Sequence, residues 1–312
     1  MKIDLVYLWV DGSDPKWRAK KNAALAAAGR PPMKDDAIRF HDNDELKYSL
    51  RSAVKFAPWL NHIFIVTDGQ TPKWLNAKNP KITVVNQTDI MPKEILPCFN
   101  SSVIEQHLVN IPNLSEHFIY ANDDMFFGRP TKPGYFFRAD GAPIIYARTE
   151  KDLIKKAVFR DYDSQLLNAK NLIGKIYGNT HDYEWAPCHN IDPYRKSYIQ
   201  EMAAHPDIKP EIKKMIRHTF RSPDDLQRSI FHEYMMTNRL ATMKIRNGTG
   251  RMFMRIFGRP FPMHVEHASR LAKMWKKPNL FCINNSGGNQ ATDEYNRNFL
   301  DKMFPEKSEF EK

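Results

Sequence analysis

An α/β fold, a mostly parallel Rossmann-like sheet flanked by helices, is predicted from three features of the sequence. Nearly continuous apolar runs recur at Ile3–Val10, Ile63–Thr67, Ile82–Val85 and Phe118–Ala121, the pattern of strands buried on both faces. Helical spacing fills the gaps between them, so strand and helix alternate as βαβ units. Three of the runs stop on carboxylate-bearing turns: Asp11-Gly12-Ser13-Asp14-Pro15, Asp68-Gly69-Gln70-Thr71-Pro72 and Asn122-Asp123-Asp124. Ligands of open α/β sheets bind outside the carboxyl ends of the strands, so these turns mark the candidate site. Each turn also has a structural reading, since Asp, Asn, Gly and Pro are the ordinary turn formers.

The bulk composition narrows the classes. With 312 residues, 42% of them hydrophobic and 27% charged, the chain buries a sizeable core and is not a disordered polymer. No repeat or low-complexity linker divides it, so residues 1–312 are read as one domain. Residues 1–135 form an α/β half, 136–245 a helical elaboration, and 246–312 a hairpin and C-terminal part that complete the site. Forty-seven basic residues against 36 acidic ones give a net charge of +11. That excess suits a polyanion, an anionic membrane face or a phosphate-bearing substrate. A nucleic-acid partner is disfavoured, because acids gather where a polyanion would dock and no recognised binding motif is present. Three cysteines, Cys98, Cys188 and Cys282, without CxxC spacing argue against a disulfide framework and a structural zinc site. Cys188 beside His189 reads as a small buried side chain in preference to a nucleophile. The start of the chain has no signal-peptide pattern and no run is long enough to span a bilayer, so a cytoplasmic protein is expected.

Taken in order, Lys16–Gly29 is an Ala-rich helix stopped by Gly29 and Pro31-Pro32. The next helix carries Leu46, Leu50 and Val54 on one face, and Asp42-x-x-Glu45 fits a capping box at its start. That explanation absorbs the acids and leaves only Arg39 and His41 over. Ser102-x-x-Glu105 repeats the capping-box spacing, so Glu105 is either a cap or a site acid. A helix start there also offers free N–H groups to a phosphate. His181 and His189 lie in a Pro-bounded loop without HExxH spacing, a weak zinc signal. Ser222-Pro223-Asp224-Asp225 reads as a helix start with Ser as cap, which leaves Arg221 outside the helix and able to reach an anion. Asn247-Gly248 suggests a hairpin turn. Ser269–Lys277 is basic and helical in spacing; packing onto the body is favoured over docking on an anionic membrane. Phe281–Asn285 closes the series as a short strand ending on polar residues.

Several of these segments together resemble one family. They are Leu8-Trp9-Val10-Asp11-Gly12-Ser13-Asp14, Arg39-Phe40-His41-Asp42-Asn43-Asp44-Glu45-Leu46, Ile65-Val66-Thr67-Asp68-Gly69-Gln70, Asn100-Ser101-Ser102-Val103-Ile104-Glu105 and Phe118-Ile119-Tyr120-Ala121-Asn122-Asp123-Asp124. Pro187-Cys188-His189-Asn190-Ile191-Asp192, Arg221, Phe281-Cys282-Ile283-Asn284-Asn285 and Phe304-Pro305-Glu306-Lys307-Ser308 continue the series. In this order the chain is similar to the Stealth family of sugar-1-phosphate transferases. That family includes bacterial capsule polymerases and the animal enzyme that begins the mannose-6-phosphate tag.

The resemblance implies a GT-A-like, metal-dependent enzyme. It would take a nucleotide-sugar donor, transfer the sugar-1-phosphate to a hydroxyl of a saccharide acceptor, free or lipid-linked, and release a nucleoside monophosphate. The setting implied is capsular or cell-surface polysaccharide synthesis, in the cytoplasm with peripheral contact at the inner face of the membrane. Asp123 and Asp124 would hold Mg²⁺ or Mn²⁺, joined by Asn285, where the family commonly has Asp. Arg221 and Arg39 would bind phosphate oxygens, and Asp11, Gly12, Asp14, Asp68, Asn100 and Ser101 would line the donor pocket. His189 is the first choice of general base, because imidazole titrates near neutrality, and Glu105 the second. A metal-dependent glycosyltransferase that releases a nucleoside diphosphate would use the same sheet edge, and sequence physics does not separate the two.

Overall fold

The computed structural model describes residues 1–31, 40–150, 153–158, 160–178, 185–245, 253–257, 278–284 and 290–312. Its strands are β1 (Ile3–Leu8), β2 (Ile63–Thr67), β3 (Ile82–Asn86), β4 (His117–Asn122), β5 (Met125–Phe127), β6 (Ile144–Thr149), β7 (Trp185–Pro187), β8 (Asp192–Arg195), β9 (Thr242–Ile245), β10 (Phe253–Phe257) and β11 (Leu280–Asn284). The longer helices are α1 (Pro15–Ala27), α2 (Glu45–Phe56), α3 (Ser101–Gln106), α4 (Asp161–Tyr177), α5 (Lys196–Ala204), α6 (Lys209–Met215), α7 (Ser229–Thr237) and α8 (Gln290–Met303).

A five-stranded sheet in the order β3-β2-β1-β4-β8 forms the centre. Its first four strands are parallel and β8 runs antiparallel at the edge. This is the mostly parallel α/β sheet expected from the sequence. Successive side chains of β1 alternate between two cores, as a period of two requires. Val6 faces Phe64, Val66, Phe118 and Tyr120 under Val103, Ile104, Ile173 and Ile230. Leu5 and Tyr7 face Ile63, Ile65 and Ile119 under Leu46, Leu50 and Phe127. Both faces are therefore covered, and each fully buried large apolar side chain contributes roughly 1.5–3 kcal/mol.

The chain order reverses at β1, where β2 lies on one side and β4 on the other. That is the switch point at which open α/β sheets bind ligands. Two smaller sheets, β10-β11-β5 and β7-β6-β9, flank this edge. The stretches 136–245 and 246–312 are interleaved with the first: β8 extends the central sheet, and β11 pairs with β5 just after the Asp123-Asp124 turn.

Two local expectations are corrected. Residues 221–228 form turns, and α7 begins only at Ser229. The reason is Asp225: its buried carboxylate accepts the Ser222 N–H at 3.0 Å and the Asn100 amide at 2.9 Å, and pairs with His218 at 2.7 Å. Those tertiary bonds replace the helical first turn that the Ser-Pro-Asp-Asp pattern favours. On either side of Asn247-Gly248, β9 pairs with β6 and β10 with β11, so the flanking strands are not the arms of a hairpin. The dipeptide itself lies outside the described residues, as do Arg39, His181, Ser269–Lys277 and Asn285.

Candidate active site

The register of β1 with β4 puts Leu8 beside Asn122, so the turns that follow both strands share one edge. Gly12 is fixed by a close approach: its N–H donates to Phe40 O at 2.9 Å, and a Cβ there would lie 2.2 Å from that oxygen. This contact draws the segment before α2 against the β1 turn. Asp11 closes its own turn by accepting from the Ser13 N–H and hydroxyl at 2.8 and 2.6 Å. Asp14 caps α1 through Lys16 N–H and also accepts from Gln70, and these bonds hold its carboxyl below the usual range. Asp68, at the end of β2, pairs with Lys20.

Around Asp123 and Asp124 lie further acids. Asp124 is tied to β11 by Ile283 N–H donating to its carbonyl at 2.9 Å, and by the Cys282 thiol 3.1 Å from its Oδ2. Burial, and then repulsion by Asp124, Glu45 and Asp42, push the Asp123 carboxyl well above its ordinary range. Glu45 is raised to about 8 by burial, with Asp42 and Asp124 adding to it, although the Asn43 N–H donates to it at 2.6 Å. Asp42 is raised to about 6 by burial and by Asp44, against a hydrogen bond from Trp9. Four carboxylates thus raise one another's proton affinity in a poorly solvated corner. Such a set favours a bound divalent cation, since a cation lowers the cost of ionising all four at once.

The capping boxes expected here do not form. Asp44, left-handed at φ 64°, is the residue before α2 and makes no side-chain cap, while Glu45 bonds back to Asn43. Asn100, not Ser102, caps α3, so Glu105 is not a capping residue. It accepts instead from the Tyr120 hydroxyl at 3.0 Å, with Arg228 and Arg221 opposing the rise that burial imposes on its carboxyl. Tyr120 is also 3.0 Å from Asn122 Oδ1, which links Glu105 to the Asp123 turn.

Cationic groups border the acids. Exposed Arg221 donates to Ser101 Oγ at 2.7 Å, which sets its guanidinium over the start of α3. Arg228 is buried; it pairs with Asp192 at 2.9 Å and lies over the Tyr120 ring. Its Nη2 comes within 3.3 Å of His189 Nδ1. One donor atom each of His189, Asp124 and Cys282 lie within 4.8 Å of one another.

The structure therefore gathers Asp123, Asp124 and His189 at the end of β4, with Glu105, Arg221 and Ser101 beside them. Asp11, Gly12, Asp14 and Asp68 line the adjoining strand ends, with Asp11, Asp14 and Asp68 engaged in turn, cap and ion-pair contacts. Asn100 is fully buried, its side chain committed to the α3 cap and to Asp225. Sequence reasoning missed Asp42 and Glu45 as members of the acid corner, Arg228 with Asp192, and Cys282. The available signal was three acids within four residues, Asp42, Asp44 and Glu45, more than a cap needs.

Comparisons with known proteins point to a family. Residues 1–29 match the model of Stealth protein CR1, conserved region 1, and residues 39–145 that of Stealth protein CR2, conserved region 2. The capsular polysaccharide phosphotransferase cps12A of Actinobacillus pleuropneumoniae is 35% identical over 312 residues, covering 96% of this chain and 81% of that one. The capsular polysaccharide phosphotransferase LcbA of Neisseria meningitidis is 40% identical over 235 residues, 74% of this chain and 63% of that one. The exopolysaccharide phosphotransferase CpsY of Mycobacterium tuberculosis is 39% identical over 245 residues, 76% of this chain and 45% of that one. The matched part is thus less than two thirds of the last two relatives. Among solved structures, the inositol-1-phosphate CTP transferase from T. maritima aligns over 97% of this chain and 96% of that one at TM-score 0.40 and 10% identity. Two conserved regions in order along the N-terminal half, and a relative aligned over 96% of this chain and 81% of its own length, lead to one conclusion: the chain belongs to the Stealth family.

Proposed function

We propose that this protein transfers a sugar-1-phosphate from a nucleotide-diphospho-sugar to a hydroxyl of a saccharide acceptor, in capsular or cell-surface polysaccharide synthesis. The observation that carries the reading is the acid corner of Asp42, Glu45, Asp123 and Asp124 at the sheet switch point, bordered by Arg221 and His189. The names of the Neisseria, Actinobacillus and Mycobacterium relatives, all polysaccharide phosphotransferases, support the same reaction class.

The chemistry is in-line attack by an alcohol on the phosphorus nearest the sugar, with a nucleoside monophosphate leaving. Such a transfer needs positioning and neutralisation of charge more than covalent help. Asp123 and Asp124, both oxygen donors, would hold Mg²⁺ or Mn²⁺, which when bound would neutralise charge on the diphosphate. Arg221 is the side chain that binds phosphate oxygens facing away from the acids, with Ser101 steering its guanidinium. His189 takes the acceptor proton, and Glu105, reached through Tyr120, is the alternative base. The turn of Asp11 and Asp14, braced by Gln70, forms the wall for the nucleoside. A lipid-linked acceptor and contact with an anionic membrane belong to the same proposal, in keeping with a charge of +11. Among the described residues no helix is long and apolar enough to cross a membrane.

The test is to incubate the protein with a panel of nucleotide-sugars, Mg²⁺ and saccharide acceptors, then identify the released nucleotide. A nucleoside monophosphate is expected, and its production is lost in Asp123→Ala while the circular dichroism spectrum is kept. A nucleoside diphosphate would place the protein among glycosyltransferases instead.

A further inference from the structure

Cys282 has no part in the chemistry above, yet its thiol lies against the reacting corner. It sits on β11, fully buried, with Sγ 3.1 Å from Asp124 Oδ2. The position is held by structure on both sides. β11 pairs antiparallel with β5 and places Cys282 beside Met125, the residue next to Asp124. Across the corner, His189 and Asp124 are each part-exposed, whereas the sulfur is buried.

We propose that Asp124, His189 and Cys282 form a binding site for a thiophilic divalent ion, with Zn²⁺ as the natural occupant. The proposal rests on the reading of Asp124 and His189 as site residues only for its effect on turnover; the binding itself stands on the geometry. Three donors of types O, N and S lie within 4.8 Å of one another. Bonds of about 2.0–2.3 Å to an ion in tetrahedral geometry require donor separations of about 3.3–3.6 Å, so the atoms need to close by up to ~1.5 Å. Rotation of the His189 ring supplies that movement. It gives up the contact between Arg228 and Nδ1, which at 3.3 Å is long for a charged donor. Three protein ligands and one open position describe a zinc site with room for water or a phosphate oxygen.

Thiolate and imidazole donors select this class of ion. Mg²⁺ takes oxygen ligands and gains nothing from sulfur, whereas Zn²⁺, Co²⁺ and Cd²⁺ bind sulfur and nitrogen strongly. On binding, the metal–sulfur bond forms, the S–H bond breaks, and the proton leaves to solvent. The negative field of the neighbouring carboxylates draws in any divalent ion; the sulfur decides which one stays. Zn²⁺ held here occupies the lone pairs of Asp124 and His189 that transfer requires, so it acts as an inhibitor that Mg²⁺ displaces poorly.

The experiment is titration of the purified full chain with Co²⁺ and with Zn²⁺, without nucleotide-sugar. Co²⁺ is expected to give a near-ultraviolet sulfur-to-cobalt charge-transfer band at one equivalent, retained in Cys98→Ser and Cys188→Ser and lost in Cys282→Ser. Zn²⁺ affinity by calorimetry should fall in Cys282→Ser by more than the ~10–100-fold that loss of an outer-shell partner costs. Because Cys282 is buried, Asp124→Asn and His189→Gln serve as second variants, at part-exposed positions, and each should weaken Zn²⁺ by at least the same factor. Stoichiometric Co²⁺ binding to the wild type with no thiolate band, or a band that survives Cys282→Ser, overturns the proposal. Failure of this titration leaves sugar-1-phosphate transfer untouched. Failure to release a nucleoside monophosphate leaves the ion site untouched.

Discussion

Glu45→Gln isolates the electrostatic cost built into the acid corner. Glu45 is buried at the start of α2 and faces Asp42 and Asp124, and its carboxyl is raised from 4.5 to about 8. A folded-state value above the unfolded one means that the native protein binds the extra proton. Stability is therefore full below about pH 4.5, declines as pH rises, and levels off once pH passes about 8. At ~1.36 kcal/mol per pH unit, the ceiling on this loss is about 5 kcal/mol. Gln keeps the acceptor for the Asn43 N–H but sets an NH₂ among carboxylates, so we expect about half of that ceiling, ~2 kcal/mol, to be regained. The assay is urea unfolding of both proteins at pH 5 and pH 9 in chelator. Glu45→Gln should match or fall slightly below the wild type at pH 5 and exceed it at pH 9. Equal stabilities at pH 9, or a variant that is weaker there, would refute the picture of an ionised, uncompensated Glu45.

Further perturbations separate the parts of the site. Arg228→Met leaves Asp192 buried without its guanidinium and should destabilise the fold by about 3–5 kcal/mol, read as a lower urea midpoint. Gly12→Ala drives a Cβ into the backbone of Phe40 and should cost about 1–3 kcal/mol with a reduced thermal midpoint. A variant as stable as the wild type would show that the segment before α2 does not depend on that contact. Arg221→Ala should preserve stability, since the side chain is exposed, and lower kcat/KM for the donor by on the order of 10²–10³. A large loss of stability in that variant would recast Arg221 as a structural brace of the 218–225 loop.

Much of the fold was legible because parallel strands buried on both faces are written as continuous apolar runs. β1, β2, β3, β4 and β11 stand where those runs do, and Gly29 at φ 64° ends α1 as expected. The candidate site was legible where several strands ended on carboxylates at one sheet edge, as at Asp123, although each turn alone had a local reading. It was obscured where a local explanation sufficed. Asp42 and Glu45 fitted a capping box, but the residue before α2 is the left-handed Asp44, and Glu45 lies where Asp42 and Asp124 raise its carboxyl. Asp225 fitted the first turn of a helix until Asn100 and His218, more than a hundred residues away and seven residues away respectively, claimed its oxygens. Arg228, Asp192 and Cys282 carry no local signal. Their roles arise from pairings between β8, α7, β11 and the end of β4 that exist only in three dimensions.

The central claim is that the sugar-proximal phosphorus moves with the sugar. A nucleotide-sugar carrying a radiolabel on that phosphorus, incubated with the protein, Mg²⁺ and an acceptor saccharide, tests it directly. The account predicts that the label appears in the acceptor product as a phosphodiester and that the released nucleotide is an unlabelled monophosphate. Label retained on a released nucleoside diphosphate, with an unlabelled glycoside as product, would contradict it.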